Sequence, residues 1–116
     1  MNNFGIMVGF GDKLNTIKSD YAHAFNLKDY TKADEILNIN LRGLLQEQYT
    51  YLEYLGEDAK ALTEGQSKLI SQNVIDQIFF HKEKLEQIVF ENWDDFRRDL
   101  KSGELKLNNF QIQNAN

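Results

Sequence analysis

The side chains that most often carry chemistry are few in this sequence and are not arranged for catalysis. The two histidines, His23 and His81, fall in different predicted helices, and neither completes a Glu-x-x-His or His-Glu-x-x-His metal-binding pattern. His81 follows Phe80 among apolar neighbours, which favours a packed or boundary histidine. The absence of cysteine excludes thiolate ligands, cysteine nucleophiles and disulfides. We therefore expect no metal site and no cofactor.

Two adjacent carboxylates, Asp94 and Asp95, are the nearest approach to an acid–base pair. Neighbouring residues on a helix diverge by about 100°, so these two groups do not converge on one substrate atom. Arg97 follows Asp94, and Arg98 follows Asp95, by three residues each, a spacing that predicts surface ion pairs instead. The glycines near the N-terminus follow no predicted strand and precede no Lys-Ser or Lys-Thr, so no phosphate loop is present. The sequence predicts a protein that is not an enzyme.

Length and charge limit the class of protein further. With 116 residues the chain is expected to form one domain. Its net charge of -5, with the two signs interspersed, argues against nucleic acid as a partner, because phosphate binding needs a concentrated basic face. The apolar stretch at residues 1–11 is too short for a signal peptide or a membrane span, so no membrane partner is expected. A reducing cytoplasm is the simplest location for a chain without cysteine.

Residues 66–100 form the longest stretch without Gly or Pro, and apolar side chains recur in it at helical spacing. Strand alternation does not fit this stretch. Gly103 follows it in the position that a helix C-terminus favours, so the helix is predicted to end at about Ser102. Such a helix cannot bury its apolar side alone, so it needs other helices or another protein.

The remaining segments are predicted from capping residues and glycines. A first helix is expected over residues 12–27 with Asp12 as the N-cap, and a second over residues 31–55, with Thr31 as the N-cap and Gly56 at its end. A long helix is expected over residues 58–102, with a possible bend near Gly65. Residues 1–11 are interpreted as an apolar arm and residues 104–116 as a tail. Gly43 inside the second helix is interpreted as a place of close helix packing.

The predicted fold class follows from these segments. The chain is expected to be all-α, with an antiparallel helical hairpin extended to a three- or four-helix bundle and one very long helix. No sequence repeat or linker interrupts it.

Aromatic residues are the most unusual feature of the predicted long helix. Phe79, Phe80, Phe90 and Trp93 cannot all face one narrow core stripe. They are therefore either ordinary core residues, with helices packed on both sides, or part of an exposed apolar surface for a partner helix. We take these four as the predicted partner-binding residues.

The order of segments resembles that of a known family. A short helix, a turn with Asp29, Tyr30 and Thr31, a Leu-rich helix, and a long helix ending in the stretch Leu100-Lys101-Ser102-Gly103-Glu104-Leu105-Lys106, with Phe110 soon after, are similar to small bacterial flagellar export chaperones of the FliT and FlgN kind. The resemblance covers about residues 12 to 110. It implies a cytoplasmic, non-catalytic chaperone or adaptor that holds an amphipathic segment of a secretion substrate.

Two other classes of function fit the same residues. An acidic, all-helical chain of this size is also typical of small inhibitors or immunity proteins from phages or toxin systems, which bind a basic surface on an enzyme. A helical hairpin that self-associates as a homodimer is the third class. Its best-known secreted form, the WXG type, has a Trp-x-Gly turn that Trp93-Asp94-Asp95 does not provide.

Overall fold

The computed structural model describes residues 6–65 and 71–102, which form four helices and contain no strand. Helix α1 is Phe10–Asn26. Helix α2 has three consecutive parts: Tyr30–Glu35 is α-helical, Ile36–Leu41 is π-helical and Arg42–Gly65 is α-helical. Helix α3 consists of the α-helical Gln72–Glu86 and a π-helical turn, Gln87–Glu91. Helix α4 is Trp93–Ser102. The predicted all-α fold with a helical hairpin and one very long helix is confirmed.

Helix α1 begins two residues earlier than the sequence predicts. Gly9, not Asp12, is the N-cap, and its φ of 84° is a left-handed conformation that glycine adopts without strain. Phe10 is buried in the core, which draws the first turn back to that residue. Asp12 lies within the first turn, where its carboxylate faces the positive end of the helix dipole.

The start of α2 also differs from the prediction, by one residue. Asp29 is its N-cap, because the Asp29 carboxylate accepts a hydrogen bond from the Lys32 N–H at 3.1 Å. Thr31, the predicted N-cap, therefore lies inside the first turn. Lys28, with a φ of 62°, lets the chain reverse between α1 and α2 over Leu27, Lys28 and Asp29.

Within residues 6–65 and 71–102, the longest helix is α2 and not the segment after it. The predicted end at Leu55 and the predicted new helix from residue 58 are both wrong, because α2 continues through Gly56 to Gly65. Gly56 serves close packing instead of ending the helix. A Cβ built on Gly56 would lie only 2.9 Å from the Phe79 Cζ atom. Gly43, interpreted from sequence as the close-packing glycine, has no atom within 4 Å of such a Cβ.

The predicted continuous helix over residues 58–102 is therefore divided. Ser71 is the N-cap of α3, and its hydroxyl accepts a hydrogen bond from the Val74 N–H at 3.3 Å. Asn92, with φ -129° and ψ 32°, separates α3 from α4. The Asn92 N–H donates to the Gln87 carbonyl at 2.8 Å, which closes the π turn. The predicted bend near Gly65 concerns residues 66–70, which lie outside the described residues. Helix α4 is described as far as Ser102, and the predicted helix end at Gly103 lies outside the described residues.

The helices pack as an elongated bundle of 56 × 28 × 20 Å. Helix α3 runs antiparallel to α2, since Phe79 lies against Gly56 while Trp93 lies against Asn38. Helix α1 packs on the N-terminal half of α2. The Met7 N–H donates to the buried Gln48 side chain at 3.0 Å and holds the start of α1 there. Of the predicted arm and tail, residues 1–5 and 104–116 lie outside the described residues, whereas Ile6 and Met7 pack on the core.

The two glycines of α2 give a matched test of this packing. Gly43→Ala is expected to raise the free energy of unfolding by up to about 1 kcal/mol, because alanine favours a helix and its methyl group meets nothing. Gly56→Ala gains the same helix propensity but displaces the Phe79 ring, and overpacking costs about 1–3 kcal/mol. We therefore expect Gly56→Ala to be less stable than Gly43→Ala by at least about 1 kcal/mol in urea denaturation. Equal stability of the two variants would contradict the close contact.

Candidate functional site

Polar side chains at the π-helical turn of α2 and just after it join α2 to the π-helical turn of α3 and to α4. Arg42 donates two hydrogen bonds to the Val89 carbonyl, from Nε at 3.1 Å and from Nη2 at 2.8 Å. The Asn38 side-chain amide oxygen, Oδ1, accepts hydrogen bonds from the Trp93 indole N–H at 3.0 Å and from Arg97 Nη1 at 3.0 Å. The Arg42 guanidinium also lies 5.5 Å from the centre of the Trp93 ring. These contacts set the position of α3 and α4 along α2.

The structure does not bring the four predicted partner-binding residues together on one surface. Trp93 is only 6% exposed and belongs to the core. Its indole N–H already donates a hydrogen bond to Asn38. Phe79 is half-buried against Gly56. Phe80 and Phe90 are 59% and 49% exposed. Partner binding by this set stays a prediction, but only Phe80 and Phe90 present large exposed rings.

The exposed side of the contact between α2 and α3 alternates aromatic rings with lysines. Phe90 packs edge-on against Tyr49 with ring centres 5.3 Å apart. The Lys82 Nζ atom lies 5.7 Å from the ring centres of both Tyr49 and Phe79, and Lys60 also lies over Phe79. The side chains of α2 and α3 themselves therefore cover much of this aromatic surface.

The acidic residues of α4 form the predicted ion pairs. Arg97 contacts Asp94 at 3.5 Å and Arg98 contacts Asp95 at 3.0 Å. These pairs lie on the surface, where each contributes at most about 1 kcal/mol.

His81 lies beside the exposed Phe80 ring, with ring centres 5.6 Å apart. Burial lowers the pKa of His81 below its ordinary value of 6.5, and the nearby Lys84 ammonium lowers this pKa further. The neutral imidazole is therefore the form that the fold favours.

An open groove lies on the other side of α2, between α2 and α1. It has a volume of ≈ 470 Å³, and its floor includes the buried Ile17 and Leu44. Gly43 lies on its wall and, having no side chain, leaves the space open. Ile39 also lines it and is 61% exposed. Polar residues border this space: Asp12, Lys13, Thr16, Asn40 and Glu47.

A second cavity of ≈ 340 Å³ continues the same groove toward the turn between α1 and α2. Asn40 lines both cavities. The other lining residues of the second cavity are Asp20, His23, Ala24, Leu27, Asp29, Lys32 and Ile36. The lining positions of α1 follow one another by steps of one or three residues, which places them on one face of that helix. We call this continuous feature the α1–α2 groove.

Sequence reasoning did not find the α1–α2 groove. The available signal was Gly43, an interior helix glycine next to the pattern Ile39-Asn40, but it was interpreted as close packing. Glycine in a helix permits either a close neighbour or an empty space, and only the position of α1 decides between them.

Comparison with known proteins finds no matching family model, no matching curated protein and no matching solved structure. Within residues 6–65 and 71–102, no group of three or more His, Asp or Glu side chains is placed to hold a metal ion. None of the helices in that part of the chain is both long enough and apolar enough to cross a membrane.

The hydrogen bond between Trp93 and Asn38 gives a prediction about stability. Asn38→Ala leaves the buried Trp93 indole N–H without its acceptor, and an unsatisfied buried group costs about 1–3 kcal/mol. Asn38→Asp keeps the acceptor and adds a charge that Arg97 compensates. We therefore expect Asn38→Ala to be destabilised by about 1–3 kcal/mol and Asn38→Asp by clearly less, in urea denaturation followed by fluorescence of the single tryptophan. Equal loss in both variants would contradict the role of the acceptor.

The lowered pKa of His81 gives a prediction about pH. Because the His81 imidazole binds a proton less strongly in the folded protein than in the unfolded chain, the free energy of unfolding should rise as the pH rises toward 6.5. His81→Gln removes this contribution, so its stability should depend less on pH between about pH 5 and pH 7. Urea denaturation of both proteins across this range measures the difference. Parallel pH curves would contradict the assignment.

Proposed function

We propose that the protein is a non-catalytic helical binding protein of the chaperone or adaptor type. It holds an amphipathic helical segment of a partner protein in the α1–α2 groove. The observation that carries this proposal is the open space at Gly43, with an apolar floor and the exposed Ile39 beside it.

The dimensions of the groove support a helical ligand. Helix α1, which forms one wall, has 17 residues, which correspond to about 25 Å at about 1.5 Å per residue. A partner helix of the same length lying along the groove would add a third helix to the pair α1 and α2. Helix-in-groove recognition uses an apolar floor of this kind and reads side chains spaced by three and four residues.

Apolar residues along the groove give it affinity for such a helix. Ile39 and Leu27 are 61% and 66% exposed, and a partner helix would remove them from water. Burial of apolar surface contributes about 25 cal/mol per Å². Phe80 and Phe90 lie along α3, outside this groove, and would be a second contact surface if the partner is larger than one helix.

The test uses a synthetic amphipathic helix of about 18 residues, with leucines spaced by three and four and an uncharged polar face. Titration into the isotope-labelled protein should shift the amide signals of Gly43 and Asn40 more than those of α3. Gly43→Leu fills the groove and should weaken binding at least about tenfold, a change of about 1.4 kcal/mol. Gln46→Leu adds the same side chain to α2 outside the groove and serves as the control.

Two results would contradict the proposal. One is the absence of any signal shift with the peptide in excess. The other is a set of shifts confined to the surroundings of Phe80 and Phe90, with equal affinities for Gly43→Leu and Gln46→Leu. That second result would move the binding surface to α3.

A further inference from the structure

The border of the α1–α2 groove carries more negative than positive charge. Four carboxylates line its two cavities, those of Asp12, Asp20, Asp29 and Glu47. Only two ammonium groups do so, those of Lys13 and Lys32. The excess of two negative charges has the same sign as the net charge of the whole chain.

Both lysines of the groove are already engaged by acids of the protein itself. Lys13 pairs with Glu47 at 3.5 Å, and Lys32 pairs with Glu35 at 3.8 Å. Three of the acids, in contrast, have no ion-pair partner among the described residues: Asp12, Asp20 and Asp29. Asp29 already accepts a hydrogen bond from the Lys32 N–H as the N-cap of α2, which leaves Asp12 and Asp20. These two carboxylates are exposed and lie on the α1 side of the groove.

Their spacing suits a helical ligand. Asp12 and Asp20 are eight residues apart on α1, about 12 Å at about 1.5 Å per residue. A helix lying alongside α1 repeats its own faces every seven or eight residues, or about two turns. Two basic residues at that separation, beside the apolar stripe of the ligand, would face both carboxylates at once.

We infer that the segment held in the α1–α2 groove is a basic amphipathic helix, with Lys or Arg beside its apolar stripe about two turns apart. This inference rests on the proposed function and specifies the chemistry of the partner. Apolar contacts with the groove floor supply most of the affinity, whereas Asp12 and Asp20 select the charge and fix the position of the ligand along the groove.

The experiment compares three synthetic peptides that share one leucine stripe and differ only at the two flanking positions, which carry Lys, Gln or Glu. The Lys peptide should bind most tightly and the Glu peptide least, with a difference of about tenfold or more at low salt. Added salt should reduce this difference, because exposed charge pairs are screened. Affinities come from titration calorimetry, and the Gly43 amide signal shows that each peptide occupies the groove.

Charge reversal within the protein identifies the responsible carboxylate. Asp20→Lys should weaken the Lys peptide about three- to fivefold and strengthen the Glu peptide by a similar factor. Glu53→Lys makes the same change of charge on the exposed side of α2, outside the groove, and is the matched control. Glu53→Lys should change the affinities for the Lys peptide and the Glu peptide less than Asp20→Lys does.

The possible outcomes separate this inference from the proposed function. If all three peptides shift the Gly43 signal with equal affinity, the groove binds helices and the charge selection is wrong. The same conclusion follows if Asp20→Lys and Glu53→Lys have equal effects. If no peptide shifts that signal, or if the protein self-associates through the groove in light scattering, the proposed function fails as well.

Discussion

The packing of α3 and α4 on α2 depends on the polar contacts that Asn38 and Arg42 of α2 make with Trp93 and Val89. Arg42 donates two hydrogen bonds to the Val89 carbonyl, and the Asn38 side chain accepts one from the Trp93 indole N–H. Because these partners are specific atoms and not interchangeable apolar surface, they permit one alignment of α3 along α2. The same alignment brings Phe79 onto Gly56. With α3 fixed on one side of α2, helix α1 packs along another, and the groove lies beside it.

The helical fold could be predicted from spacing, but the helix boundaries could not. Apolar periodicity and the absence of proline identify helices wherever the chain has them. A glycine in such a pattern ends a helix, permits a close neighbour or leaves a space, and local sequence does not separate these three outcomes. Gly56 follows an apolar run, as a terminal glycine does, yet it lies opposite Phe79. Asn92 ends α3 because of the preceding π turn, which has no signal in the spacing of residues.

Sequence spacing could not show that the four predicted partner-binding residues lie on different surfaces, for a similar reason. The spacing of the aromatic residues in one segment shows that their rings point to several sides of a helix. It does not show which of those sides pack against other helices. Trp93 turned out to face Asn38 and Arg42, and both of those residues come from α2. The ion pairs of Asp94 and Asp95 were predictable because both partners of each pair belong to one helix and are fixed by its geometry. Features within one helix were thus accessible from sequence, and features between helices were not.

The short connection at Lys28 has a consequence for how the proposed partner helix would reach the α1–α2 groove. Only Leu27, Lys28 and Asp29 separate α1 from α2, and at the opposite end Met7 is bonded to Gln48. Helices α1 and α2 are thus held together at both ends of the groove. A partner helix bound as we propose would therefore enter the groove from the solvent side without separating α1 from α2, and the entropy cost of ordering would fall on the partner segment.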